Sequence, residues 1–166
     1  MLMLVKRLST LLLLLAAFFV LLQNLSAQTS NQLPQFWMTL SNGRHFNSAE
    51  ITKGKPVLLI YFAPDCDHCH TLMNAFFTKA TSFASAEVIM VTFTPLPDVA
   101  AFTKKYQTAQ FPNIRVGSEG SSHFLRQYYK LQNTPFAALY NKEGKLVASY
   151  RKNPSVDHLL NQLKQL

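Results

Sequence analysis

Cys66 and Cys69 are the two cysteines of a 166-residue chain, and only Asp67 and His68 separate them. This spacing puts the sulfurs one helical turn apart on the same side, within the Cα range that a disulfide spans without much strain. A pair placed where a helix begins feels the partial positive charge and free N–H groups of the helix N-terminus. Both favour thiolate over thiol. Cys66 is therefore the expected nucleophile, with a lowered pKa. Cys69, one turn in and less exposed, is the expected resolving thiol, which attacks a mixed disulfide on Cys66 and releases the partner. His68, when protonated, stabilises the Cys66 thiolate, whereas Asp65 and Asp67 oppose it by like-charge repulsion. Asp67 and His68 are the expected tuning residues.

The same residues fit other chemistries. A Cys-x-x-Cys pair can be half of a zinc site, although no other cysteine exists and the histidines lack finger spacing. Cys66-x-x-Cys69-His70 matches the c-type haem attachment signature, with His70 as one axial ligand and Met73 or Met90 as the other. An inert clip is a third reading, but one closing so small a loop adds little chain-entropy stabilisation.

The surrounding elements favour redox chemistry. Pro56 to Ala63 is a continuous apolar run, suited to a strand buried on both faces. Pro64-Asp65 ends it, and beyond the cysteines Leu72, Met73, Phe76, Phe77 and Ala80 recur at helical spacing. Glu87 to Phe93 is a second apolar strand, so the motif sits in a βαβ unit. Phe36 to Leu40 is an expected strand, followed by the turn Ser41-Asn42-Gly43. Further helices are expected over Pro97–Tyr106 and Ser121–Leu131, with irregular chain between them and a short strand around Ile114-Arg115-Val116. Strands Phe136–Tyr140 and Lys145–Tyr150 flank the turn Asn141–Gly144. A final helix is expected from the cap Asn153-Pro154, burying Val156, Leu159, Leu160, Leu163 and Leu166.

Hydrophobic residues are 48% of the chain, enough for a core, but the N-terminus inflates the figure. There Lys6 and Arg7 precede a long apolar run ending at Leu22, then Gln23-Asn24-Leu25-Ser26-Ala27. This pattern reads as a secretory signal, residues 1–27, cut after Ala27. Retained, residues 8–22 would instead give an N-terminal membrane anchor. No cysteine near the cut is available for lipidation. Residues 28–35 read as a linker and 36–166 as the folded domain. Net charge is +8, with basic residues scattered along the chain and never in a run longer than two. That is a solvated basic surface and not the concentrated stripe of a nucleic-acid binder.

Tyr61-Phe62-Ala63-Pro64-Asp65-Cys66-Asp67-His68-Cys69 after an apolar strand resembles the thioredoxin-fold active site, above all that of the TlpA/ResA-like exported thiol–disulfide oxidoreductases. Asn133-Thr134-Pro135-Phe136, and Asn141 to Lys145 before another strand, resemble the family's cis-proline segment and final hairpin. Phe36 to Phe46 resembles the extra hairpin of the TlpA-like branch. The resemblance implies an α/β, thioredoxin-like fold: a central mixed β-sheet with helices on both faces and an N-terminal β-hairpin extension. It implies that Thr134-Pro135 is cis, faces the cysteines and offers backbone groups to an extended partner chain. It further implies a periplasmic or otherwise exported reductase of protein disulfides, without metal and with no cofactor beyond the Cys66–Cys69 disulfide. A membrane or periplasmic redox partner would regenerate it, and nucleic acid has no part. A thioredoxin-fold binding module whose disulfide never turns over is the remaining alternative. Two positions depart from the pattern: Ile60 stands where many thioredoxins carry a buried acid, and Asp65 replaces the aromatic that often precedes the first cysteine. The peroxidatic-cysteine pattern of peroxiredoxins is missing.

Overall fold

The computed structural model describes residues 31–152 and 154–166. The expected leader, the 8–22 run, residues 28–30 of the linker and Asn153 lie outside the described residues.

Val57–Tyr61 (β3) is an interior strand of a seven-stranded mixed sheet, and all five of its residues are buried. It pairs in parallel with Glu87–Thr92 (β4) and antiparallel with Phe136–Tyr140 (β6). Ile114–Ser118 (β5) runs parallel to β4 on its far side, and Leu146–Tyr150 (β7) closes a hairpin with β6. Trp37–Leu40 (β1) and His45–Asn47 (β2) make the N-terminal hairpin, with β1 antiparallel to β5. The order is β2-β1-β5-β4-β3-β6-β7.

A strand covered on both faces needs no polar alternation, which is why β3, β4 and β6 read as unbroken apolar runs. Leu58 and Ile60 point into one core with Leu72, Met73 and Phe76 of helix Asp67–Thr78 (α1). Helices Leu96–Lys105 (α2) and Val156–Leu163 (α4) complete that face with Val99, Phe102, Val156, Leu159 and Leu163. Leu59 and Tyr61 point to the other core, with Phe36, Met38 and Phe46 of the hairpin region and with Leu125 of the short helix Phe124–Tyr128 (α3).

Several elements differ from expectation. The third helix is confined to Phe124–Tyr128, because His123 and Lys130 adopt left-handed backbone (φ 46° and 52°) that interrupts a right-handed helix on either side. Ile114-Arg115-Val116 belongs to a five-residue interior strand. The last helix is capped by Ser155, whose side chain accepts the His158 amide, and it starts at Val156. Ala80 lies beyond α1 in a 3-10 turn, Ala80–Phe83. Tyr128 is exposed, while Tyr129 is buried with its hydroxyl on that of Tyr140.

The hairpin is held close to β5 at Gly117. A Cβ built there would lie 2.8 Å from Met38 Sδ and 2.9 Å from the carbonyl oxygen of Thr39. The carbonyl belongs to the ladder and cannot swing away as a side chain does. Gly117→Ala is therefore expected to destabilise the fold by about 1–3 kcal/mol, read as a lower midpoint in urea. An unchanged midpoint would mean that β1 can shift from β5 at no cost.

Candidate active site

The chain leaves β3 at Tyr61, and the Phe62 amide still bonds to Val91 O at 3.0 Å. A turn through Pro64 and Asp65 brings the Cys66 amide onto Ala63 O at 3.2 Å. Cys66 is the N-cap of α1, with extended backbone (φ −96°, ψ 120°), and its sulfur accepts the Cys69 amide at 3.4 Å. This is the position where Ser, Thr or Asp normally offers an oxygen to the N3 amide. The Cys66 thiol also donates to the carbonyl of Thr134 at 3.5 Å. Residues 68 apart in sequence are thereby joined. The Thr134–Pro135 peptide bond is cis. Both cysteines are free thiols; Cys66 is half-buried, and Cys69 is fully buried in the α1-side core.

The two sulfurs ionise differently. Burial pushes the Cys66 thiol up, but hydrogen bonds from the Cys69 thiol, Thr134 and the backbone at Cys69 and His68 together outweigh it, and its pKa is lowered. Burial dominates at Cys69 and pushes it up to about 12, with the Cys66 sulfur adding to the rise. Cys66 is thus the sulfur that ionises first, beside a neighbour that stays protonated near neutrality.

Cys66 lines a cleft of about 590 Å³ together with Ala63, His68, Thr134 and Pro135. His68 is exposed there; Asp67 is exposed at the first turn of α1 and is not part of the cleft wall. Of the sequence-expected residues, Cys66, His68, Thr134 and Pro135 therefore meet around one opening, while Cys69 is buried in the core behind Cys66 and Asp67 lies outside the cleft wall. Two features escaped the sequence reading. His70, read as an ordinary exposed helix residue, is half-buried, and its Nε2 contacts the carbonyl of Pro64, tying the helix to the turn before Cys66. Arg126, Arg151 and Lys152, read as scattered surface charge, also line the cleft. No local signal pairs them, because Arg126 lies on α3 and the other two follow β7. Among the described residues no group of three or more His, Cys, Asp or Glu is placed to hold a metal ion.

The ionisation asymmetry has a direct readout. Thiolate is the reactive form, so alkylation of Cys66 by iodoacetamide should rise with pH about a midpoint below the ~8.5 of an unperturbed cysteine. Cys69 should stay unmodified near neutral pH until the protein is denatured. Mass spectrometry of quenched samples distinguishes the two sites, and a Cys66 midpoint at or above the unperturbed value would contradict the capping geometry.

Comparisons with known proteins agree with this architecture. Residues 29–153 match the model of the AhpC/TSA family. No curated protein sequence matches the chain. Among solved structures, the pneumococcal exposed lipoprotein thioredoxin of Streptococcus pneumoniae is 25% identical at a TM-score of 0.62, with 80% of this chain and 100% of that one covered. A secreted Mycobacterium tuberculosis disulfide oxidoreductase homologous to Escherichia coli DsbE is 18% identical, with a TM-score of 0.66 and coverages of 80% and 96%. The M. tuberculosis peroxidoxin BcpB reaches a TM-score of 0.69 at 14% identity, with coverages of 82% and 96%. The last two likenesses are of fold alone. With its thioredoxin-like sheet and most of its length matched, the chain belongs to the AhpC/TSA family.

Proposed function

We propose that the protein is an exported thiol–disulfide oxidoreductase of the TlpA/ResA-like kind that reduces protein disulfides. The observation that carries this reading is the Cys66 sulfur as N-cap of α1, lining a cleft, with a buried thiol one turn behind it. The Cys66 thiolate attacks one sulfur of a substrate disulfide. A Cys66–substrate bond forms, the substrate S–S bond breaks, and the first substrate sulfur leaves as thiolate. Cys69 then loses its proton and attacks Cys66 Sγ. The Cys66–Cys69 disulfide forms and the second substrate thiolate departs, so two electrons pass from the dithiol to the substrate.

The high pKa of Cys69 fits its second place in this order, since it stays protonated until the mixed disulfide has formed. Thr134 and Pro135 border the cleft beside Cys66, where a partner chain would lie. His68 on the opening is the nearer candidate for tuning the thiolate, ahead of the outward-facing Asp67. No cofactor beyond the disulfide is invoked, and an external dithiol partner must restore the reduced state. The secreted and surface-exposed character of two structural neighbours supports export, as does the secretory pattern of residues 1–27. Among the described residues no helix is long and apolar enough to cross a membrane.

The haem reading asks for His70 as an iron ligand. The Nε2 atom that would face iron is engaged with Pro64 O, and the ring packs beside the Cys66 turn.

Cys69→Ser is expected to accumulate mixed disulfides through Cys66 that a diagonal gel resolves. Cys66→Ser should lower insulin reduction in the presence of dithiothreitol to the uncatalysed rate. A wild-type protein that neither exchanges with glutathione nor accelerates insulin reduction would overturn the proposal in favour of a binding module.

A further inference from the structure

Three cations surround the cleft that Cys66 lines, and no acidic side chain forms its wall. Two of them are held by rings and not by carboxylates. The Arg126 guanidinium lies 5.5 Å from the centroid of Phe93, and that of Arg151 lies 5.8 Å from the centroid of Phe136. Arg151 Nη1 also donates to Lys130 O at 3.4 Å. Such stacking fixes a guanidinium while leaving its charge uncompensated. Among the described residues the ion pairs are Arg44–Glu50, Lys55–Glu87, Lys79–Asp157 and Arg115–Glu87, and none involves Arg126, Arg151 or Lys152.

Glu119, the carboxylate held at the start of α3, is buried, and both its oxygens are engaged. Oε1 accepts the Tyr61 hydroxyl at 2.7 Å, and Oε2 accepts the Leu125 amide at 2.8 Å. Glu119 thus anchors the start of α3, which carries Arg126. Asp65 and Asp67 are exposed around Cys66, outside the cleft wall. The wall therefore presents positive charge from α3 and from the end of β7, with the exposed amides Gln132 and Asn133 between.

We infer that the cleft selects disulfides in acidic polypeptide segments, whose carboxylates meet Arg126, Arg151 and Lys152 while a substrate sulfur meets Cys66. The inference rests on the reductase reading above and adds the substrate class to it. Complementary charge around a reactive group acts mainly on encounter, so the effect belongs in the second-order rate and fades with salt.

The test is single-turnover reduction by the pre-reduced protein of three fluorogenic disulfide peptides, identical except for flanking Glu, Gln or Lys residues. At low ionic strength the Glu peptide is expected to react about ten-fold faster than the Gln peptide and the Lys peptide slower than either. The Glu/Gln ratio should fall towards one in 0.5 M NaCl. It should also fall in Arg126→Gln/Arg151→Gln, and be restored in Arg126→Lys/Arg151→Lys. Equal rates for the three peptides with the wild-type protein would overturn the inference while leaving the reductase reading intact. A Glu preference that persists in high salt and in the glutamine variant would overturn the assignment to these cations. Oxidised glutathione reacting as fast as the Glu peptide would overturn the polypeptide as the preferred substrate. Failure to reduce any of the disulfides, the neutral 2-hydroxyethyl disulfide included, would overturn the reductase reading itself and the inference with it.

Discussion

A single hydrogen bond, from the Cys69 amide to the Cys66 sulfur, ties the chemistry of this protein to its fold. A helix N-terminus leaves amides without intrahelical partners, and something must accept from them. In α1 that acceptor is the Cys66 sulfur, the atom proposed to attack the substrate. Capping and activation are thus the same interaction, and anything that displaces the start of α1 also changes the ionisation of Cys66. The structure protects that start from two directions. Ala63 O receives the Cys66 amide, and the His70 ring reaches back to Pro64, so the turn is closed by backbone on one side and by the helix's own side chain on the other.

The division of the sheet into two faces explains why the paired sulfurs behave differently. Cys69 points into the core shared by α1, α2 and α4, where water is excluded and a charge finds little compensation. Cys66 stays at the boundary, within reach of Thr134 from the loop before β6. Alternation along β3 sends Tyr61 to the opposite face, where its hydroxyl holds Glu119. Glu119, one of two buried acids among the described residues, therefore lies across the sheet from the core that contains Cys69. Ile60, where a thioredoxin-type acid was noted as missing, packs in the same core as Cys69.

The parts legible in the sequence were those encoded locally. The Cys-x-x-Cys spacing, the apolar runs of β3, β4 and β6 and the Leu72/Met73/Phe76 stripe each state their role within a few residues. The third helix was overestimated because the left-handed turns at His123 and Lys130 fall on residue types that carry no obvious punctuation, unlike glycine. The cap of α4 was misassigned because Asn153-Pro154 and Ser155 are both plausible caps, and the choice depends on which amide the chain brings within reach. The basic cleft was not legible at all. Arg126 and Arg151 become neighbours only when α3 and β7 have folded against the same end of the sheet, and a linear pass sees two isolated arginines.

The pairing of β1 with β5 has a consequence for how the protein survives as an isolated molecule. Without the N-terminal hairpin, β5 would be the last strand on its side and would present a row of unpaired amides and carbonyls beside apolar side chains. Such a border is a template for adding strands from other chains. At its Gly117–Ser118 end the hairpin covers that border and leaves β2 outermost, only three residues long and followed at once by the 3-10 turn Ser48–Glu50. Arg115 of β5 lies over the ring of Phe46 on β2 and shields it. A chain trimmed to begin after Asn47 would keep both cysteines yet leave the Gly117–Ser118 end of β5 unpaired, a margin to which other strands can add.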